Sequence, residues 1–318
     1  MMLSRRVFVT MAGAGLLRLA LPTVSAAQGN RERSILGRWD LNVHGEEGDY
    51  PAWLEVRRSG SSLVGSFVGQ FGSARPIGRV EFADGRLRFA VPPQFERRKD
   101  DLRFEGQFDG ETLRGQTTDE KGRSLEWVGR RAPSLKREQP PQWAEPIELF
   151  SGKDLTGWKP RNDKARNGWT VQDGILTNAN PGNDLLTEQK FTDFKLHAEF
   201  RYPARSNSGI YLRGRYELQI EDDYGGEPEC HKIGGVYGFL TPSVNPAKKP
   251  GEWQTMDITL VGRVITLLFN DERVIDRQAI PGITGGALDS DEGAPGPIML
   301  QGDHGRVEFR KLTLTPGR

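Results

Sequence analysis

The chain has one cysteine, Cys230, in 318 residues, so no intrachain disulfide can form. His231 follows it, but adjacent residues on an extended chain point to opposite faces, and Cys230 is read as structural rather than as a catalytic thiol. Charge of one sign is also lacking. A formal net charge of +1 gives no long-range reason to expect nucleic acid or an anionic membrane as partner. Apolar runs are short and broken by turn residues, and from Ile147 onward no segment keeps a helical period.

What is abundant is turn chemistry, with Gly 39 and Pro 20, and short segments of alternating polarity. Both point to an all-β chain, long enough for two domains that each bury a core. The start, MMLSRRVFVTMAGAGLLRLALPTVSAAQG, has twin arginines at Arg5 and Arg6, then Phe8, an apolar stretch and the small residues Val24, Ser25 and Ala26. Residues 1–27 are therefore expected to be a twin-arginine signal peptide. The apolar stretch is short for a span and Arg18 interrupts it, so cleavage and export to the periplasm or beyond are expected, with no stable membrane insertion afterwards.

Residues 34–131 contain eight short alternating segments, among them ILGRWDLNV, LVGSFVGQF, RLRFAVP and LEWVGRR, separated by Gly, Asp and Ser turns. They predict an up-and-down antiparallel meander, open or closed as a small barrel. Trp39, Trp53, Phe67, Phe89, Phe104 and Trp127 are expected to fill its interior, and no chemistry is assigned to this domain. Residues 132–146, rich in proline and charge, read as a semi-stiff linker. Strand signals resume over 147–318 with long loops at 160–170, 223–250 and 282–296, and predict a jelly-roll sandwich of two antiparallel sheets.

The stretch SNSGIYLRGRYELQIEDDYGG, residues 206–226, raises the question of function. Taken as one strand, it directs Ile210, Leu212, Tyr216, Leu218 and Ile220 to one face and Tyr211, Arg213, Glu217, Gln219 and Glu221 to the other. Such a polar row is either a solvated outer face or the lining of a groove.

Several stretches together carry a resemblance: LFSGKDLTGW, WTVQDGIL, DFKLHAEFR, NSGIYLRGRYELQIEDDYG, PGEWQTMDITL and GPIMLQGDHGRVEFRKLTL. From about residue 146 to 316 the chain resembles the 3-keto-disaccharide hydrolase domain family of exported bacterial proteins. The resemblance implies a concanavalin-like jelly roll and activity on glycosides whose C3 hydroxyl has been oxidised to a ketone. It also implies a functional link to a sugar 3-dehydrogenase that makes such substrates.

A C3 ketone acidifies the C2 proton, and the C1 oxygen is then a β leaving group. Elimination followed by hydration replaces an oxocarbenium route, and requires a base, a donor to the enolate oxygen and an acid. His304, oriented by Asp303, is the expected base, and Glu217 a second catalytic group. Arg213 is the candidate stabiliser of the enolate or ketone oxygen and Gln219 a reader of hydroxyls. If the strands HAEFR and PIMLQGDH join the same sheet, Glu199 with His197 and Arg201, and Gln301 with Asp303 and His304, extend the polar lining. Tyr211, His231, Lys248 and Trp253 complete the candidate binding set, with Tyr237 and Tyr224 as further stacking surfaces.

No cofactor is expected. The acidic cluster Glu221, Asp222, Asp223, Glu227 and Glu229 fits neither an EF-hand nor a paired-histidine zinc site, and at most holds a structural divalent cation. Two rivals remain open. A conventional jelly-roll glycosidase would use ELQIED, but in one regular strand Glu217 and Glu221 stand about 13 Å apart where a retaining pair needs roughly 5 to 5.5 Å. A lectin-like module would need only the polar row and an aromatic side chain.

Overall fold

The structure, a computed structural model, describes residues 34–46 and 48–318. The twin-arginine leader expected at residues 1–27 lies outside the described residues. Among the described residues the strands form one closed barrel and two further sheets.

The barrel strands are Gly37–His44, Tyr50–Ser59, Ser62–Val68, Arg75–Ala83, Arg86–Val91, Leu102–Phe108, Leu113–Thr118 and Ser124–Arg131. Each pairs antiparallel with the next, and the last returns to the first with Asn42 opposite Val128. Alternation sends Trp39, Leu41 and Val43 inward, where they meet Phe67, Phe89, Phe104 and Trp127. Phe89 and Phe104 stack with ring centres 4.8 Å apart. Trp53 departs from the expected interior set. It faces out of the barrel into the core of the second unit, edge-on to Phe239 at 5.4 Å.

The second unit is a sandwich. Its five-stranded sheet runs Trp158–Pro160, Leu185–Thr187, Met299–Leu300, Asn207–Leu212, Tyr216–Glu221. The eight-stranded sheet runs Trp169–Gln172, Ile175–Asn178, Glu308–Pro316, Phe194–Arg201, Gln254–Val261, Val264–Phe269, Glu272–Ala279, with Ile147–Glu148 paired beside Glu308–Pro316. Between them Ile210, Leu218, Ile220, Leu196, Phe200, Ile258 and Leu314 form a continuous buried core. The antiparallel alternation that buries one face of each sheet leaves the other face for water or for function.

The proline-rich stretch after the barrel is tied down along its length. Arg137 pairs with Asp193 at 2.6 Å, Trp143 bridges to Gly317, and Lys195 sits 4.6 Å over the Trp143 ring.

Barrel and sandwich are packed on each other. The Gly286 N–H donates to the Gln70 carbonyl at 2.8 Å, and Trp53 lies so close to Gly282 that any Cβ there would overlap its indole. Beneath this contact Arg263 pairs with the fully buried Glu292 at 3.1 Å, and Tyr216 donates to Glu292 at 2.6 Å. Asp40 of the barrel joins the cluster. Burial first, and then the neighbouring Glu292 carboxylate, push its pKa up to about 9.

Candidate active site

The stretch 206–226 is a hairpin, not one strand. Arg213 and Gly214 both take positive φ, 55° and 67°, and the Arg215 N–H donates back to the Leu212 carbonyl at 3.1 Å. Two consecutive left-handed residues make the tight turn whose twist suits a two-stranded ribbon. The turn sets the register: Tyr211 opposes Glu217, Gly209 opposes Gln219, and Asn207 opposes Glu221. Cross-strand partners share a face, so Asn207, Tyr211, Glu217 and Gln219 gather on the side of the sheet away from the sandwich core. Gly209 leaves room for this, because a Cβ there would stand 2.7 Å from a Glu217 carboxylate oxygen.

Neighbouring strands bring the rest. Met299–Leu300 pairs with the hairpin on its other side, and the Gln301 N–H donates to the Gly209 carbonyl at 2.9 Å. The chain then carries Gln301, Asp303 and His304 over the end of the sheet. Asp184, just before Leu185–Thr187, accepts the Gly302 N–H at 2.9 Å and pairs with Arg161 at 3.0 Å. The outer edge of the hairpin is sealed by the segment 234–237, with Gln219 and Tyr237 N–H groups donating at 3.0 Å to Gly235 and Glu217 carbonyls.

The result is a cavity of about 310 Å³ lined by these residues and by Tyr237, Gly285 and Gly286. Three residues of the barrel loops, Phe71, Gly72 and Phe95, form part of its wall. Of the residues expected from sequence, Tyr211, Glu217, Gln219, Gln301, Asp303, His304 and Tyr237 come together here.

Others do not. Arg213 is fully buried away from the cavity; its guanidinium sits 5.2 Å over the Tyr216 ring and donates to the Tyr216 hydroxyl at 2.7 Å. The turn is the reason, since it ends the alternation on which Arg213 shared a face with Glu217. Glu199, with His197 and Arg201, belongs to the eight-stranded sheet, and its outer face lies on the opposite side of the sandwich from the cavity. Trp253 also sits there, between Arg201 and Arg310 at 4.7 and 4.5 Å. Lys248 is turned back to the Trp253 carbonyl at 3.2 Å. His231 packs edge-on behind Tyr237 at 5.2 Å without lining the cavity, and Tyr224 stands exposed elsewhere with Lys249 5.9 Å from its ring. In the acidic loop Glu221 pairs with Lys232 at 2.8 Å, and among the described residues no three metal-ligating side chains gather.

Sequence reasoning passed over Arg161, Asp184 and Asn207, which lie at strand ends where no periodicity marks them.

The electrostatics separate the titratable groups. Glu217 is 4% exposed, and burial, helped by the Asp184 and Asp303 carboxylates, pushes its pKa up to about 8 against the opposing Tyr211 hydroxyl and His304. His304 is half-exposed, and its hydrogen bond and attraction to Asp303 hold its pKa above the ordinary imidazole value. Asp303 goes the other way: burial alone would raise it, but the bond to His304 outweighs that and holds it low. Asp184 is raised, chiefly by burial. A carboxyl group that is protonated near neutrality thus shares a small cavity with an imidazole coupled to a carboxylate. That is a proton donor beside a potential proton acceptor.

Residues 145–315, more than half of the chain, match the model of the 3-keto-alpha-glucoside-1,2-lyase-like domain. The protein belongs to that family. Membership makes it a carbohydrate-active enzyme that acts on glycosides. Among solved structures, a candidate glycosyl hydrolase from Parabacteroides distasonis is 27% identical, with 56% of this chain and 92% of that chain covered and a TM-score of 0.45. A second one from that organism is 26% identical over 54% of this chain and 98% of its own, with a TM-score of 0.43. LamAcat from Zobellia galactanivorans is 10% identical over 54% of this chain and 97% of its own, with a TM-score of 0.35. No curated protein matches the chain.

Proposed function

We propose that this family member cleaves 3-keto-glycosides by elimination across C1 and C2, with Glu217 as acid and the His304–Asp303 pair as base. The observation that carries the proposal is Glu217, buried so that its pKa is pushed up to about 8, lining the same cavity as His304. Neutral His304 takes the C2 proton. The electrons left behind move onto the C3 carbonyl oxygen to form an enolate, where side-chain donors such as Gln219, Gln301 or Arg161 meet the charge. As the enolate collapses, the C1–oxygen bond breaks and Glu217 delivers its proton to the leaving oxygen.

The products are an unsaturated 3-keto sugar and the free aglycone; later addition of water completes net hydrolysis. The end state places an imidazolium near a carboxylate, whose attraction favours the double proton transfer. The retaining-glycosidase alternative is weakened by Glu221, which pairs with Lys232 instead of facing Glu217 in the cavity. Export through the twin-arginine leader and supply of substrate by a sugar 3-dehydrogenase belong to the same proposal.

The test is aglycone release from matched glucosides, unmodified or oxidised at C3. Cleavage of only the oxidised member is expected. Cleavage of the unmodified member would favour a conventional glycosidase, and binding without cleavage of either would favour a lectin.

A further inference from the structure

Two phenylalanines of the barrel stand exposed, Phe71 at 54% and Phe95 at 57%. Both line two spaces at once. One is the Glu217 cavity; the other is a cavity of about 530 Å³ in the mouth of the barrel, walled also by Tyr50, Phe67, Arg98 and Asp119.

The loops that present them are anchored. Gln70 accepts the Gly286 N–H at 2.8 Å, which fixes the first loop to the sandwich. Gln94 ties the two loops together, accepting the Ser73 N–H at 3.0 Å and donating to the Ser73 hydroxyl at 3.1 Å. Glu96 accepts the Gln94 and Phe95 N–H groups at 2.6 and 3.0 Å and pairs with Arg75 at 2.7 Å. The aromatic pair is therefore a fixed wall shared by two adjacent spaces, and its rings are not needed by the barrel core, which excludes them.

We propose that the barrel mouth is the leaving-group subsite of the enzyme. It rests on the keto-glycoside assignment above: the oxidised ring sits against Glu217 and His304, and the group at C1 extends past Phe71 and Phe95. The ligand chemistry that fits is a ring with an apolar face and polar edges, either a second pyranose or a phenol. The phenylalanine faces stack on its flat side, while Arg97 and Glu46 at the mouth offer hydrogen bonds to its hydroxyls. The barrel then selects among glycosides by their leaving group.

The experiment compares the wild-type chain with the double variant F71A/F95A on three 3-keto-glucosides whose C1 substituent is methyl, phenyl or glucosyl. Because both rings also wall the Glu217 cavity, the quantity read is the preference: kcat/KM on the phenyl and glucosyl substrates relative to the methyl one should fall about tenfold in the variant. A loss confined to the phenyl or to the glucosyl substrate identifies which ring the subsite takes. Equal losses on all three, or no loss on any, overturn the proposal.

If the wild-type chain cleaves none of the three, the keto-glycoside assignment fails, and calorimetric titration with methyl, phenyl and glucosyl glucosides decides the subsite separately. A preference for a ring-bearing ligand that disappears in the variant keeps it; absence of such a preference overturns it.

Discussion

Glu217 and His304 have displaced titrations for different reasons, burial for one and a carboxylate partner for the other. Turnover requires His304 without its proton and Glu217 with its own. The rate should therefore rise with pH as His304 deprotonates, above the ordinary imidazole value, and fall as Glu217 ionises at about 8. Glu217→Gln cannot deliver a proton, and kcat should drop by roughly 10²- to 10⁴-fold with the alkaline limb gone. Asp303→Asn removes the group that chiefly raises His304 and that also adds to the rise of Glu217, so both limbs should move to lower pH, the acid limb further; kcat–pH profiles of the two variants check both statements.

The same scale shows what sequence can and cannot reveal. Tyr211, Glu217 and Gln219 were legible because the pleat repeats every two residues, and Asp303–His304 because an acid beside a histidine at a strand end is visible without coordinates. Asp184 and Arg161 were not, since their place depends on which strands become neighbours.

At the level of the element, the hairpin turn decides the site. Reading 206–226 as one strand gave the correct face for Glu217 and Gln219 and the wrong one for Arg213, because alternation ends where φ changes sign. Gly214 is held at φ 67° with Leu288 against it, so Gly214→Ala should destabilise the fold by roughly 1 to 3 kcal/mol in chemical denaturation and disturb the Tyr211–Glu217 register. The polar row of Phe194–Arg201 looked equally functional in sequence. Its strand was assigned by nature to the other sheet, and alternation carries no information about sheet membership. Trp253→Ala, on that far face, should leave kcat/KM within about twofold of wild type.

Across the whole molecule, the all-β class, the eight-stranded meander and the sandwich were readable from turn spacing and alternation, while closure of the meander rests on the pairing of its last strand with its first. The docking of one on the other was not, because it depends on outward-facing residues such as Trp53 that look like core in a strand pattern. The interface also carries a pH dependence. Asp40 keeps its proton in the folded chain up to about 9, whereas an exposed aspartate releases it near 3.8. Between those values the folded state binds the extra proton, so this group lowers stability as pH rises. Asp40→Asn should flatten the decline, seen as a smaller difference in Tm between pH 5 and pH 8 than in wild type.

The contact of Trp53 with Phe239 and Gly282 bears on handling the protein in pieces. A sandwich expressed without its barrel would turn Phe239 and the Gly282 backbone that Trp53 covers toward water, with Glu292 deprived of its Asp40 neighbour. Such a fragment presents an adhesive patch to its own copies, so it should aggregate where the full chain stays dispersed.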